Sequence, residues 1–381
     1  MAQPLSTVFL DSSSGEPMVP DARRAWLEAQ DAGWGDPLRL HRPGRLASQA
    51  LDRARDVVAE TVGARADEVI FTSSGVHAAA AAIAGLSKGR RRVGPRVVTS
   101  AVDHSSVLAA AEAYGEPVTV AVDSVARVDL EAWGSAVRDE GVAAANLQVA
   151  NHEVGTLQPY AEAAELCAQV EVPLVLDATA ALGRVDLPAS VGWSVLIGAA
   201  QAFGGPSSVG LMVIRRGVRW RAPYPTDDYQ AGRWPGTPDV PAIAAAAAAL
   251  EVWRNDRTAV GARQHALVEK LRSGIAAAVP DVDVVGDPDR RVPHLLTFSA
   301  LYVDGETLTL ELDKAGFAVS SGSACSASNE HPSHVLAAMG ALTHGNIRIG
   351  VTRTTSESDV NRFLQVLPPI VAELRATVGV S

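Results

Sequence analysis

Short apolar runs alternate with amphipathic segments along most of the chain, and this alternation restricts the fold more than any other feature. Strand-like runs occur at 68–72 (EVIFT), Arg96–Val102, Val118–Val122, Ala144–Ala150, Pro173–Asp177, Ser194–Ile197 and Gly210–Ile214. Segments with helical periodicity separate most of them, such as 46–62, which ends at Gly63. Alternating strands and helices are typical of an α/β domain with a mostly parallel sheet. The sequence therefore predicts a doubly wound large domain.

The last third of the chain has a different pattern. Residues 240–278 read as one long or broken helix. After it come the strand HLLTFSA, a helix at Glu306–Ala315, the loop SSGSACSAS, a short helix at 333–339, the strand NIRIGV and a closing helix from Ser356. This order predicts a smaller α+β domain. We expect residues 16–255 to form the large domain, and residues 1–15 and 256–381 to form the small one.

The composition limits the classes of partner. The chain has 381 residues, 47% hydrophobic residues and a formal net charge of −10. An acidic surface disfavours nucleic acid as a partner, because binding to phosphate backbones needs clustered Lys and Arg. The start, MAQPLSTVFLDSSSG, has no basic stretch before a long apolar one, and no apolar segment approaches about 20 residues. We therefore expect a cytoplasmic protein without a membrane partner.

The two cysteines differ in their surroundings. Cys167 lies in the helical stretch AEAAELCAQV, which favours a buried, inert thiol. Cys325 lies in a loop of small residues that would expose a reactive thiol. Two cysteines in such different contexts do not form a disulfide framework.

Nine segments, in chain order, resemble motifs of the cysteine desulfurases, which are fold-type I enzymes of the class V aminotransferase family. The segments are FLDSSSGEP, GDPLRLHRPGR, EVIFTSSG, AVDHSSVL, NHEVGTLQP, VLDATAALG, FGGPSSVG, RWPGTPDV and SSGSACSASNEHPSHVLAAMG. The resemblance covers nearly the whole chain, and the last segment is the most specific. It implies a fold-type I large domain, a smaller C-terminal domain and the cofactor pyridoxal phosphate (PLP).

The resemblance also implies a lysine that holds PLP through a covalent link and later moves protons. Aligned on FGGP, that position is Ala202, which cannot form the link, and Gln201 stands where the family has histidine. The chain has only three lysines, Lys88, Lys270 and Lys314, and none lies in a segment that could substitute.

Other positions of the implied cofactor site are also altered. Ala180 replaces a glutamine that donates to the phenolic oxygen of PLP, and His152 replaces the asparagine beside it. In the phosphate turn, Val76 and His77 replace a threonine and a glutamate, although the backbone at Gly75 could still cradle an anion. Losing several contacts of about 1–3 kcal/mol each would remove orders of magnitude of affinity. We therefore expect no bound cofactor.

Part of the implied site is retained. The resemblance assigns Asp177 to the pyridinium nitrogen, His104 to stacking on the ring and Arg348 to a substrate carboxylate. An ordinary structural role is the alternative for each: a turn anchor for Asp177, a helix cap for His104 and an ion pair for Arg348. Thr237, in RWPGTPDV, matches a loop that reaches the neighbouring subunit's phosphate, so we expect a homodimer.

Three hypotheses of function follow. The first is a PLP-free homologue that relays sulfur through Cys325, from or to another protein, or that serves as the non-catalytic partner of a competent desulfurase. In this family the loop cysteine accepts sulfur as a persulfide, although Cys325 could also be inherited without a role. The second is changed chemistry in the remodelled pocket, where a metal could be held by His77, His104, His152 and Asp177, although no metal is our expectation. The third is a PLP-dependent desulfurase whose lysine was mutated or whose cofactor is not covalently linked.

Overall fold

The computed structural model describes residues 7–188, 190–321 and 332–379. The α-helices are α1 (Pro20–Ala32), α2 (Arg42–Val62), α3 (Gly75–Gly89), α4 (Ser105–Tyr114), α5 (Leu130–Arg138), α6 (Tyr160–Gln169), α7 (Val240–Ala278), α8 (Gly305–Lys314), α9 (His334–Met339) and α10 (Glu357–Thr377). The strands are β1 (Val8–Phe9), β2 (Val69–Thr72), β3 (Arg96–Ser100), β4 (Glu116–Val120), β5 (Val142–Gln148), β6 (Leu174–Asp177), β7 (Val195–Ala199), β8 (Gly210–Ile214), β9 (Val282–Val285), β10 (Leu295–Ala300), β11 (Phe317–Ala318) and β12 (Asn346–Gly350).

A seven-stranded sheet with the order β2-β8-β7-β6-β5-β3-β4 forms the centre of the large unit. All neighbouring pairs are parallel except β2–β8 and β7–β8, in which β8 runs antiparallel. The α/β class with a mostly parallel sheet, predicted from the sequence, is confirmed. In such sheets the carboxyl ends of the parallel strands lie along one edge, where ligands usually bind.

Helices cover both faces of this sheet, and successive side chains on a strand point to opposite faces, so each strand contributes to two cores. On β6, Val175 packs with the core beneath α3 and α4, whereas Leu174 and Leu176 pack with the core beneath α2, α5, α6 and α7. Alanine-rich helices, such as α3 with GVHAAAAAIAGLSKG, can lie close to the sheet. These two layers of helices fix the strand ends rigidly.

The second unit contains a three-stranded antiparallel sheet, β12-β10-β9, and the short parallel pair β1–β11. Its core includes Leu10 together with side chains of α7, α8 and α10. Helix α7 is continuous over 39 residues and contributes to the cores of both units. Because no break in α7 marks residue 255, the division into 16–255 and 1–15 with 256–381 remains a prediction.

Candidate functional site

A pocket lies where the carboxyl ends of β3, β5, β6 and β7 meet the first turn of α3, and we call it the strand-end pocket. It is lined by Gly75, Val76, Ala79, His104, Ser106, Gln148, Ala150, His152, Asp177, Thr179, Ala180, Ile197, Ala199 and Gln201. Parallel strands place these residues together although more than 120 positions separate the first from the last. Seven of the residues singled out from the sequence, Gly75, Val76, His104, His152, Asp177, Ala180 and Gln201, meet here.

The turn between β2 and α3 forms one wall of the pocket. The side chain of Ser74 caps α3 by accepting a hydrogen bond from the backbone nitrogen of His77 (3.1 Å). A Cβ at Gly75 would lie 2.7 Å from the Cβ of Ala199, so only glycine lets α3 begin this close to β7. The free backbone N–H groups of such a helix start favour an anion.

His77 does not enter the pocket, although the sequence placed it there. Its ring nitrogen Nδ1 lies 2.7 Å from the hydroxyl of Ser73, and its ring lies 5.7 Å from that of Trp234. The side chain is exposed because the first turn of α3 points residue 77 away from the strand ends.

Two histidines face each other inside the pocket. The ring of His104 lies 4.9 Å from the ring of His152, in an edge-to-face arrangement. His104 also caps α4, because its Nδ1 accepts a hydrogen bond from the backbone nitrogen of Ser106 (3.1 Å). His104 therefore caps α4 and lines the pocket at the same time. Burial lowers the pKa of His104, and lowers that of His152 well below its ordinary value, so both rings are neutral near pH 7.

His152 is unusual because its ring nitrogens are buried without hydrogen bonds to any described residue, although its side chain is 16% exposed. Neither ring nitrogen has a hydrogen-bond partner among the described residues. Its Nε2 lies 3.7 Å from Oε1 of Glu153, which is too long for a hydrogen bond. Buried polar atoms are normally satisfied, so this imidazole is suited to a ligand that completes its hydrogen bonds.

Behind His152 lies a group of buried polar side chains that the sequence did not single out. The hydroxyl of Ser333 donates to Oε2 of Glu153 (2.6 Å), and burial raises the pKa of the Glu153 carboxyl. His334 places its Nε2 2.9 Å from the backbone oxygen of Asp103, and its ring lies 6.3 Å from that of His152. In the sequence, the one sign of this group is Ser333, a typical capping residue at the start of the helix HVLAAM.

Asp103 is fully buried next to His104. Its carboxylate accepts hydrogen bonds from the backbone nitrogens of Ser100 (3.0 Å) and Gln148 (3.3 Å). Burial is the largest cause that raises its pKa, to about 7. A carboxyl that titrates near neutrality therefore lies directly beneath the pocket.

Asp177 ends β6 and is almost fully buried. Its Oδ1 accepts a hydrogen bond from the backbone nitrogen of Thr179 (2.9 Å), which makes it a turn anchor. The carboxylate lines the pocket as well, so the structural role does not exclude a binding role.

Ala202 lies in the 3₁₀ turn Ala200–Phe203 after β7, directly beside Gln201. Nη2 of Arg184 holds this turn by donating to the backbone oxygen of Ala202 (2.8 Å) and to Oε2 of Glu16 (2.9 Å). The Arg184–Glu16 pair is buried.

No lysine lies near this turn. Lys88 donates to the backbone oxygen of Ala222, and the other two lysines pair with surface glutamates, Lys270 with Glu357 and Lys314 with Glu311.

Arg348 and Thr237, two further predicted site residues, do not line the pocket. Arg348, on β12, is buried and donates through Nη2 to the hydroxyls of Ser14 (3.2 Å) and Ser320 (3.3 Å). Its Nε has no hydrogen-bond partner among the described residues. Thr237 is exposed and does not reach the pocket of its own chain. Cys325 lies outside the described residues.

Comparison with known proteins identifies the family. The model of the class-V aminotransferases matches residues 33–363. The cysteine desulfurase NifS of Azotobacter vinelandii is 34% identical over 386 residues, which cover 97% of this chain and 94% of NifS. The chain belongs to the cysteine desulfurase family of class-V aminotransferases.

Further relatives agree with this assignment. A cysteine desulfurase of Cereibacter sphaeroides is 36% identical over 385 residues, which cover 98% of this chain and 97% of that protein. A solved structure described as a NifS-like protein has a TM-score of 0.89 at 24% identity and covers 96% of this chain and 100% of its own. That structure confirms the fold.

Family membership corrects one expectation from the sequence. We expected no cofactor, but the chain matches cysteine desulfurases along nearly its whole length, and PLP is the cofactor that this family implies. The pocket fits PLP in part. The Asp177 carboxylate, the His104 ring and the unsatisfied nitrogens of His152 provide contacts for a polar aromatic ring. At the position where the sequence predicts the attachment lysine, Ala202 has no amine.

The structure does not support the four-residue metal set. His77 is turned away, and among residues 7–188, 190–321 and 332–379 no three His, Cys, Asp or Glu side chains are placed to hold one metal ion. In the same described ranges, no helix is both long enough and apolar enough to span a bilayer.

Proposed function

We propose that this protein is a sulfur-transfer protein of the cysteine desulfurase family that works without a lysine-linked cofactor and acts together with another protein. It either relays sulfur through Cys325 or supplies the non-catalytic subunit of a competent desulfurase. The observation that carries this proposal is the turn at Ala202, where an alanine lies beside the pocket and all three lysines have contacts elsewhere.

PLP would be held in the strand-end pocket without a covalent link. Asp177 would pair with the pyridinium nitrogen, His104 would lie against the ring and His152 would donate to a polar substituent, while the start of α3 would bind the phosphate. When bound, PLP supplies an electron sink for charge that develops next to a substrate amine. The family lysine that moves protons has no counterpart at Ala202, so turnover of free cysteine should be very slow.

Spectroscopic titration with PLP tests this part of the proposal. We expect reversible binding that dialysis removes, no protein-bound pyridoxyl group after borohydride reduction, and no sulfide release from free cysteine above the rate with PLP alone. A covalent pyridoxyl adduct on any of the three lysines, combined with sulfide release, would refute it.

The described ends of the Cys325 loop support a role near the pocket. On one side Ser320 exchanges backbone hydrogen bonds with Arg348. On the other side Ser333 donates to Glu153, and His334 contacts Asp103. The second anchor joins the residues that neighbour His104 and His152 in sequence, Asp103 and Glu153, and this supports a role near the strand-end pocket.

Persulfide mapping tests the relay. The protein is incubated with a competent desulfurase and cysteine, alkylated and analysed by mass spectrometry. We expect the extra sulfur on Cys325, and its loss in Cys325→Ser. Cys167→Ser is the matched control and should retain the persulfide, because Cys167 is buried and burial raises the pKa of its thiol to about 12. If Cys325 stays unmodified while the donor desulfurase carries a persulfide, the relay is excluded. The role as a non-catalytic subunit would then remain.

A further inference from the structure

Two short stretches of this acidic chain contain only basic charges. Residues 87–96, SKGRRRVGPR, contain five Lys or Arg, and residues 215–221, RRGVRWR, contain four; neither stretch has an Asp or a Glu. With a net charge of −10 for the chain, this clustering is opposite to the overall charge.

The fold packs the two stretches against each other. The Nε1 of Trp220 donates to the backbone oxygen of Ala81 (3.0 Å), and the backbone nitrogen of Arg221 donates to the oxygen of Gly85 (3.0 Å). At the end of α3, a Cβ on Gly89 would lie 1.9 Å from the backbone oxygen of Arg219. Glycine is therefore required for this close approach, and the backbone beneath the basic side chains is fixed.

The flanking arginines are neutralised, whereas the central cations are not. Arg96, Arg215 and Arg216 pair with Asp139, Glu68 and Asp67 at 3.6, 3.4 and 2.7 Å. The other six line a cavity of about 410 Å³ and form no ion pair with any acid in the described part of the chain: Lys88, Arg90, Arg91, Arg92, Arg219 and Arg221. We call this cavity the basic pocket.

Stabilisation of the α3 dipole does not account for the basic pocket. A helix C-terminus favours cations within its last turn, and Lys88 occupies that position. Arg91, Arg92 and Arg219 lie beyond the helix, where its field is weak. Arg90 has a buried Nε without a hydrogen-bond partner among the described residues, and its pKa is lowered by burial and by Arg219. An anion in the cavity would relieve this repulsion.

The side chains indicate which anion fits. Five of the six cations are arginines, and the planar guanidinium group matches the oxygens of phosphate in a bidentate manner. One aromatic residue, Trp220, lines the cavity, half-buried and with its Nε1 bonded to the backbone oxygen of Ala81. Single-stranded nucleic acids usually stack successive bases on several aromatic side chains, and the described residues of the lining include only this one.

We propose that the basic pocket binds the di- or triphosphate group of a small molecule, either free polyphosphate or a nucleotide. The site is separate from the strand-end pocket, because α3 runs 15 residues from Gly75 at one to Gly89 at the other, about 22 Å. It adds a second ligand to the protein that does not depend on the sulfur chemistry.

Isothermal titration calorimetry of the full chain at about 150 mM salt tests this proposal. The probes are inorganic tripolyphosphate, a nucleoside triphosphate and a single-stranded RNA. Arg91 and Arg92 are exposed, so Arg91→Ser with Arg92→Ser should leave the fold intact. We expect that double variant to weaken tripolyphosphate binding by about tenfold or more, since hydrogen bonds to charged groups are lost.

The matched control is Arg23→Ser with Arg290→Ser, which removes the same charge from two exposed arginines elsewhere. Unchanged tripolyphosphate binding in the control supports a defined pocket. A nucleotide that binds more tightly than tripolyphosphate indicates a nucleotide ligand, and equal affinities indicate polyphosphate; both support the proposal. No binding of either phosphate compound, equal weakening in the control, or binding of RNA alone would overturn it.

Discussion

We propose that Ala202 stands at the position of the family lysine and so limits the family chemistry that this chain can perform. We predict that Ala202→Lys alone will not restore cysteine desulfurase activity. The new amine would enter a pocket in which Val76, Ala180, His152 and Gln201 still differ from the residues that the resemblance implies at those positions. Contacts of about 1–3 kcal/mol each predict a deficit of at least about 100-fold. Sulfide release from cysteine with added PLP measures it.

The control is a variant with five substitutions, which adds Val76→Thr, Ala180→Gln, His152→Asn and Gln201→His to Ala202→Lys. We expect this variant to bind PLP covalently and to release sulfide. Full activity in Ala202→Lys alone would show that the alanine is an isolated change and that the rest of the pocket is competent.

Asp103 predicts a pH dependence of stability. Its pKa in the folded protein is raised from 3.8 to about 7, so the folded state binds this proton more tightly than the unfolded state does. The stabilising effect is complete at acidic pH and is lost as the pH rises through about 7. Between pH 5 and pH 8 this loss amounts to about 2–3 kcal/mol.

Asp103→Asn removes the titrating group. We expect the difference in free energy of unfolding, wild type minus variant, to fall between pH 5 and pH 8 in urea denaturation. Any hydrogen bond that the asparagine loses is independent of pH and does not change this slope. A difference that stays constant over the range would show that Asp103 does not titrate there.

At the residue level, sequence reasoning was successful where a side chain follows a strand. His104 and His152 come four residues after the ends of β3 and β5, Asp177 is the last residue of β6, and the parallel sheet brings such positions together. His77 was misplaced because its direction depends on the first turn of α3. His334 could not be predicted, since its contact with Asp103 joins residues that are 231 positions apart.

Helix α3 connects the two pockets, and its glycine at position 85 is tightly packed. A Cβ at Gly85 would lie 1.9 Å from Nε1 of Trp220. Glycine to alanine inside a helix normally stabilises by about 0.5–1 kcal/mol. At Gly85 we predict the opposite sign, a loss of about 1–3 kcal/mol, because the indole must move from its contact with α3.

Gly261, inside α7, is the matched control. The nearest atom to a Cβ there is 3.9 Å away, on Pro293, so Gly261→Ala should stabilise the protein by the ordinary amount. Urea denaturation of both variants measures the signs. Stabilisation by Gly85→Ala would contradict the packing of Trp220 on α3.

The sequence did not predict the 13-residue helix α1, but the strands that it missed are short. Strands β1 and β11 have two residues each and pair with each other. Two residues are too few to show the alternation of polar and apolar side chains that predicts a strand. Strand β9, VDVV, is partly exposed at the edge of its sheet and lacks a continuous apolar run. The long strands β3, β5 and β8 were predicted because both of their faces are buried.

For the whole molecule, the charge distribution separates its two proposed ligands. The strand-end pocket contains neutral histidines and the Asp177 carboxylate, whereas the basic pocket contains six cations at the other end of α3. The large sheet and its two layers of helices keep these sites apart. A ligand at one site can therefore be measured independently of the other.

Several exposed apolar side chains are concentrated in one segment of the chain, and contiguous exposed apolar patches often mark protein–protein interaction sites. This segment extends over α1, the connection to α2 and the start of α2, and we call it the α1–α2 face. Its exposed side chains are Trp26, Leu27, Trp34, Leu38, Leu40 and Leu46. The exposed loop with Gly236 and Thr237 is the element that the resemblance assigns to a neighbouring subunit. We predict a homodimer that buries the α1–α2 face and this loop.

Trp34→Ser with Leu40→Ser tests the dimer, because these side chains are 66% and 89% exposed and can change without disturbing the core. In sedimentation velocity at micromolar concentration we expect a dimer for the wild type and a shift towards monomer for the double variant. Leu310→Ser is the control, since Leu310 is 61% exposed on α8, outside the α1–α2 face. A monomeric wild type, or equal dissociation in the control, would contradict this assignment. The double variant could lose both the dimer and the ability to support a competent desulfurase while it still binds PLP. That result would indicate that each chain contributes a contact surface rather than a catalytic group.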